Sequence, residues 1–298
     1  MTTETDSSKS IDRAVTHNYH IEPHAALGME HLSTGFNTLS LCRHGWMLYL
    51  SADQYIGRSL NKYGEFSEGE VLLFSLLLRP GDLVVEAGAN IGAHTLAMAK
   101  MVGEKGLIYA FEPQRLVYQA MVANVAINSL VNVITQQAGL GASEGTINVP
   151  VLDPAIGHNF GGVSISHHET GEQVPVTTID SLKLDQCRMI KVDVEGMECD
   201  VLEGARDTIM QLRPILYVEN DRPENSSRLI ALIQSFGYKL WWHLPPLYNP
   251  DNFRGDKENL FGNIVSVNML CLPQEVQHVI DMHEIVSPED DWRQAGRG

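Results

Sequence analysis

Residues 84–95 read VVEAGANIGAHT: an apolar strand carrying one carboxylate, a turn of small residues, and the opening of a helix. A strand that turns through glycine into a helix leaves backbone N–H groups free at the helix N-terminus, and nucleotides bind there in open α/β sheets. A turn built for a dinucleotide has the spacing G-x-G-x-x-G, in which the second glycine admits a pyrophosphate and the third lets the helix lie close to the strand. Counted from Gly88, these positions hold Gly88, Asn90 and Ala93. One match in three argues against a pyrophosphate. Asn90 instead suits S-adenosylmethionine, which carries no phosphate. Its methionine end offers a carboxylate and an ammonium to a side-chain amide, and its adenosine rests on the bare backbone of Gly88 and Gly92.

Outward from this turn the chain alternates strand and helix. DLVVEAG leads to a helix ending near Met101, then GLIYAFE, a helix from about Arg115 to Asn128, and VNVITQQAG. That is the rhythm of a doubly wound, parallel α/β sheet. Glycine-rich short strands interrupt it over residues 141–178; RMIKVDV, a helix from about Glu198 to Leu212, and ILYVEN then restore it. A helix near Pro223 to Phe236 precedes YKLWWHL, and irregular residues lead to NIVSVNMLCL. Parallel neighbours need a crossover helix, so this last strand is expected to return antiparallel, as methyltransferase sheets do and dehydrogenase halves usually do not. Upstream, residues 36–66 with Gly45, Gly57 and Gly64 suggest strands or hairpins, and SEGEVLLFSLLL reads as a helix capped by Ser67 and stopped at Pro80-Gly81. The expected organisation is a tail and cap segment (1–80), a cofactor-binding catalytic domain (81–273) and a C-terminal tail (274–298).

Composition narrows the function. In 298 residues, 21 Lys+Arg face 37 Asp+Glu, a net charge of −16, and no two Lys or Arg are adjacent. No basic stripe exists for a phosphate backbone, so nucleic acid is not expected as a partner. No apolar run is long enough for a membrane span, and the start MTTETDSSKS lacks the pattern of a secretory signal, so the expected location is cytoplasmic. Cys42, Cys187, Cys199 and Cys271 form no C-x-x-C pair and read as core thiols. His17, His20 and His24 resemble a metal cluster only in spacing.

Chemistry is expected beyond the carboxyl ends of the central strands. Glu112 ends the second strand, where a carboxylate accepts hydrogen bonds from ribose hydroxyls. Ala89, Pro113 and Ala138 at neighbouring strand ends are placed with it in the cofactor set. Asp193 and Glu195 end the fourth strand, and Glu219 and Asn220 end the fifth. Asp193 is the first candidate for the base that takes the acceptor's proton, with its capping of the following helix as the structural alternative. Lys191 lies two residues earlier on a strand expected to be covered; a buried ammonium needs a carboxylate, and Glu86 on the adjacent strand, also placed in the cofactor set, is the expected partner, with Lys191 as a catalytic base the alternative. The catalytic set is thus Asp193, Lys191 and Glu195. Two loops flank these ends: WWHLPPLYNPDNF (241–253), with four aromatic rings and His243, and HNFGG (158–162), with His158. Either serves a substrate or merely packs.

EAGANIGAHT, YAFEP, TTIDSL, IKVDVEGMECDVLEGA and FGNIVSVNML together resemble the FkbM family of S-adenosylmethionine-dependent methyltransferases, over roughly residues 60–273. The family usually has Asp at the position of Glu86. The resemblance implies a class I methyltransferase fold, Rossmann-like, and O-methylation of a hydroxyl on a sugar, polyketide or other natural product. The acceptor is therefore expected to be a small molecule or saccharide; homo-oligomerisation is left open. Asp193, Glu219 and Asn220 are also similar to the Asp and Asp-Asn set by which catechol-type O-methyltransferases hold Mg²⁺, the alternative being metal-free catalysis. The rival functions are a nicotinamide-dependent oxidoreductase, which Asn90 and the sheet's ending disfavour, and a non-catalytic cofactor-binding protein, which has no need of acidic strand ends.

Overall fold

A computed structural model describes residues 31–162, 169–277 and 280–295. The expectation about His17, His20 and His24 lies outside these described residues. Strands β1 (His31–Thr34), β2 (Asn37–Cys42) and β3 (Gly45–Leu50) form an antiparallel meander, followed by helices α1 (Ile56–Tyr63) and α2 (Glu68–Leu77). The helix α1 stands where a further strand or hairpin was expected. Its buried Ile56, Leu60 and Tyr63 follow the helical spacing, and Gly57 lies inside the helix because a Cβ there would meet the Leu50 carbonyl at 2.4 Å. Ser67 precedes α2 without capping its backbone; its hydroxyl donates to the Glu70 carboxylate at 2.7 Å.

The main sheet follows. In chain order come β4 (Leu83–Ala87), α3 (Ala93–Val102), β5 (Leu107–Phe111), α4 (Arg115–Ile127) and β6 (Val133–Gln136). A small separate sheet of β7 (Gly139–Leu140), β8 (Gly145–Val149) and β9 (Glu172–Thr177) intervenes. Then come β10 (Met189–Val192), α5 (Glu198–Glu203), α6 (Arg206–Leu212), β11 (Ile215–Glu219), α7 (Pro223–Ser235), β12 (Tyr238–His243) and β13 (Asn268–Pro273), with β14 (Glu284–Ile285) and α8 (Trp292–Ala295) last. The single helix expected over 198–212 is two. Gly204 breaks it by packing against the Gly141 carbonyl, which a Cβ would approach to 2.0 Å. Asp180, from a distant turn, caps the second piece by accepting the Asp207 and Thr208 N–H groups at 3.0 and 2.8 Å.

The strand order is β14-β12-β13-β11-β10-β4-β5-β6, parallel from β6 through β11, with β13 antiparallel between β11 and β12. The antiparallel return expected of NIVSVNMLCL is what β13 makes. The segment read as a tail beyond residue 273 adds β14 to the edge of this sheet. Both faces are covered: Val85, Ile190, Val192, Leu216 and Val218 pack on one side, and Val84, Met189, Tyr217 and Leu270 on the other. All four cysteines are buried and unpaired. The order reverses at β4, between β5 and β10, and the crevice of a doubly wound sheet opens at such a point.

Candidate active site

At that crevice lies a cavity of about 530 Å³, bounded by the ends of β4, β5, β10 and β11. The turn quoted above forms one wall. Gly88 (φ 79°) is required by the fold as well as by any ligand, because a Cβ would meet the Asp193 carbonyl oxygen at 1.8 Å. Asn90 adopts the left-handed conformation (φ 51°) and accepts the Ile91 N–H on its own side-chain oxygen at 2.7 Å. Glu112 clamps this turn to the end of β5, accepting N–H groups from Asn90 at 2.9 Å and Gln114 at 2.8 Å. Burial pushes the Glu112 carboxyl up to about 7, against the pull of those two donors. Helix α3 begins at Gly92 without any side-chain cap, so its first-turn donors remain available.

The centre of the cavity is a buried charge network. Lys191, 1% exposed, donates to Asp193 at 3.0 Å and stands 4.0 Å from Glu86. Its close partner is thus Asp193, just past the end of its own strand, with Glu86 second. Thr95 donates to Glu86 at 2.6 Å, and burial pushes that carboxyl up to about 7 despite Lys191. Burial works against charge on Lys191, but Asp193, Glu86 and Glu70 outweigh it and hold the ammonium above its ordinary value. Burial would likewise raise Asp193, yet the Lys191 ammonium bonded to it holds it below the usual carboxylate range. Asp193 keeps 35% of its side chain open to the cleft.

Asp193, Glu195 and Glu219 bring carboxylate oxygens within 4.8 Å of one another. Burial, then Asp193 and Glu195, push Glu219 well above the carboxylate range, and its Oε2 has no partner among the described residues. Burial and Asp193 push Glu195 up to about 7, while Arg222 pairs with it.

Of the residues read from the sequence, Glu86, Gly88, Ala89, Asn90, Glu112, Lys191, Asp193, Glu195 and Glu219 line the cavity. Gly92, Pro113, Ala138 and Asn220 do not. Ala138 is buried in the core beside Phe111, and Gly92 packs towards Met121. Asn220 corrects the expected metal set: its amide turns away from the cleft and donates to the Met269 sulfur at 3.3 Å. The HNFGG loop contributes Asn159, Gly161 and Gly162, whereas His158 packs against Phe160. The aromatic loop contributes only Leu247; Trp241 and Trp242 are buried strand residues and Tyr248 packs on Tyr63. Among the lining residues missed are Arg222, which pairs with Glu195, and Glu70 and His94. Glu70 was hidden because S-x-x-E spacing reads as a cap. His94 lies within the opening stretch itself, buried against Phe66 and Phe74.

A sheet of this order, with the glycine turn after its first strand and β13 reversed, is the class I fold of S-adenosylmethionine-dependent methyltransferases. The sequence signature described as the Methyltransferase FkbM domain matches residues 86–240, more than half of the chain, and the protein belongs to that family and is a methyltransferase. It is similar to Methyltransferase 1 of Beauveria bassiana, 27% identical over 191 residues covering 56% of this chain and 76% of that protein. It is also similar to Methyltransferase sdnD of Sordaria araneosa, again 27% identical over 191 residues, covering 53% and 73%. Among solved structures it is similar to the FkbM methyltransferase of Methylobacillus flagellatus KT, at 20% identity and a TM-score of 0.42 over 67% of this chain. It spans half the length of that protein. No helix among the described residues is long and apolar enough to cross a membrane.

Proposed function

We propose that the protein is an S-adenosylmethionine-dependent O-methyltransferase acting on a hydroxyl of a sugar, polyketide or other natural product. The observation that carries this reading is Asp193: a carboxylate kept ionised by a buried ammonium, open to the cavity, at the end of a central strand. The cavity suits the cofactor, since the first turn of α3 has no side-chain cap and can take the cofactor's carboxylate, and Glu112 in the same lining can accept from ribose hydroxyls. When bound, S-adenosylmethionine supplies a methyl group on a cationic sulfur to the acceptor oxygen. Asp193 takes the acceptor's proton, and Lys191 holds Asp193 in the form that can accept it. Calorimetric titration is expected to show binding of S-adenosylmethionine and S-adenosylhomocysteine; tight binding of NAD alone would overturn the reading. Methyl-labelled cofactor incubated with extracts of the source organism identifies the product.

The residues do not fit the Mg²⁺ alternative. Asp193 is already compensated by Lys191, Glu195 by Arg222, and the Asn220 amide faces elsewhere. A resident Mg²⁺ would have to compete with Lys191 and Arg222 for these carboxylates. Labelling is therefore expected to survive EDTA and to gain nothing from added Mg²⁺ or Mn²⁺. Loss on chelation with recovery on Mg²⁺ would reinstate the metal.

Glu112→Gln removes the charge and also turns one of the clamp's two acceptors into a donor facing a backbone N–H, so S-adenosylhomocysteine is expected to bind about tenfold more weakly. Ribose hydroxyls donate best to the ionised form, and the Glu112 carboxyl stands at about 7. Wild-type affinity should accordingly rise as pH climbs from about 6 to 8, with this rise absent in the variant. Equal affinity in a folded variant would remove Glu112 from the ribose.

A further inference from the structure

Beside the central cavity lies a second of about 440 Å³, between the start of α1 and the loop near residue 261. Tyr55 and Ile264 line both, so the two are neighbours across that pair. Ligand sites of several hundred cubic ångströms are filled by one drug-sized molecule. A cofactor of that size leaves the central cavity little room for more than the reacting part of an acceptor.

The annex lining is of two kinds. The half-buried Tyr55 ring lies 7° from parallel to Phe261, centroids 6.3 Å apart, giving an apolar floor. Three residues on, at the same start of α1, Arg58 is exposed, and its guanidinium makes no hydrogen bond or ion pair among the described residues. The one carboxylate of the annex, Asp53, is 7% exposed and turned inward, accepting the Tyr55 and Gly57 N–H groups at 2.9 Å each. The annex therefore presents positive charge and a ring-sized apolar face in a protein of net charge −16. The central cavity is the reverse: its cations, Lys191 and Arg222, are both paired with carboxylates.

We propose that the annex is the second subsite of the acceptor, taking a ring that bears an anionic substituent, with Tyr55 beneath the ring and Arg58 on the anion. This rests on the reading of the central cavity as a methyl-transfer site. An acceptor spanning both cavities places its hydroxyl at Asp193 and its anionic end across the Tyr55–Ile264 sill. Carboxylate, sulfate and phosphate use the same guanidinium contacts.

The test is an NMR titration of the full chain, in the presence of S-adenosylhomocysteine, with D-glucuronate, glucose 6-phosphate and neutral methyl β-D-glucoside as probes. At least one anionic probe is expected to bind about tenfold more tightly than the glucoside. Arg58→Ala should bring it to the glucoside's level, and Tyr55→Ala should weaken all three. Whichever anion is preferred separates carboxylate from phosphate recognition. Equal binding of charged and neutral probes, binding unaffected by Arg58→Ala, or no binding of any probe overturns the proposal. Calorimetry on the same sample keeps the two readings apart. Failure to bind S-adenosylhomocysteine sinks the methyl-transfer reading, whereas probes indifferent to Arg58 while it is bound sink the annex alone.

Discussion

Replacing Lys191 by methionine is expected to cost the fold about 3–5 kcal/mol, read as a lower urea midpoint, because removing one partner of a buried pair leaves the other uncompensated. Methionine matches the length of the lysine stem, so the loss is one of charge. Lys191 sits 1% exposed on a central strand, facing Asp193 and Glu86, and Glu86 stands at about 7 even with the ammonium beside it. The sign with pH follows from protons bound. Between the ordinary carboxylate value and about 7 the native protein holds a proton on Glu86 that the unfolded chain has lost, so stability falls as pH climbs through that window. Without Lys191 the window extends further upward, and the variant should lose more at pH 8 than at pH 6. Adding Glu86→Gln should restore part of the loss. An equal drop at both pH values, with no recovery in the double variant, would mean that Lys191 does not offset these carboxylates.

Several of the differences between expectation and structure have one cause, the two-residue period of a strand. Glu219 and Asn220 are adjacent at the end of β11, so their side chains leave on opposite sides; only Glu219 reaches the cleft. The same period puts Lys191 and Asp193 on one face, which is why Asp193 is nearer the ammonium than Glu86 across the ladder. Alternation of strands and helices was legible because buried parallel strands are continuous apolar runs. The antiparallel β13 was legible because no helix precedes it. What local pattern could not supply came from distant chain segments: the Asp180 cap that separates α5 from α6, and Glu70, which α2 delivers to the cavity from outside the sheet. The glycine turn was read as a ligand cradle, yet Gly88 is fixed first by the close passage of the Asp193 carbonyl.

Asp193→Asn is expected to lower kcat for methyl transfer by about 10²–10⁴-fold, the usual contribution of a positioned proton acceptor, with S-adenosylhomocysteine affinity within about threefold of wild type. The amide keeps the side chain's shape and can still accept from Lys191 through its oxygen, but it cannot take a proton. Holding the acceptor oxygen against the reacting carbon supplies up to about 7–11 kcal/mol by itself, so residual transfer should remain well above the uncatalysed level. The choice of Asp193 over its neighbours turns on protonation. Burial and its neighbours push Glu219 well up, and Glu195 at about 7 is tied to Arg222; Asp193 alone of the three is held below the carboxylate range and opens to the cleft. That low value makes it a weaker base, which is offset by its being ionised at every working pH. Its own titration should therefore leave the rate untouched from pH 6 to 8. Wild-type transfer retained in Asp193→Asn, together with a large loss in Glu195→Gln and a rate rising through about pH 7, would move the proton to Glu195 instead.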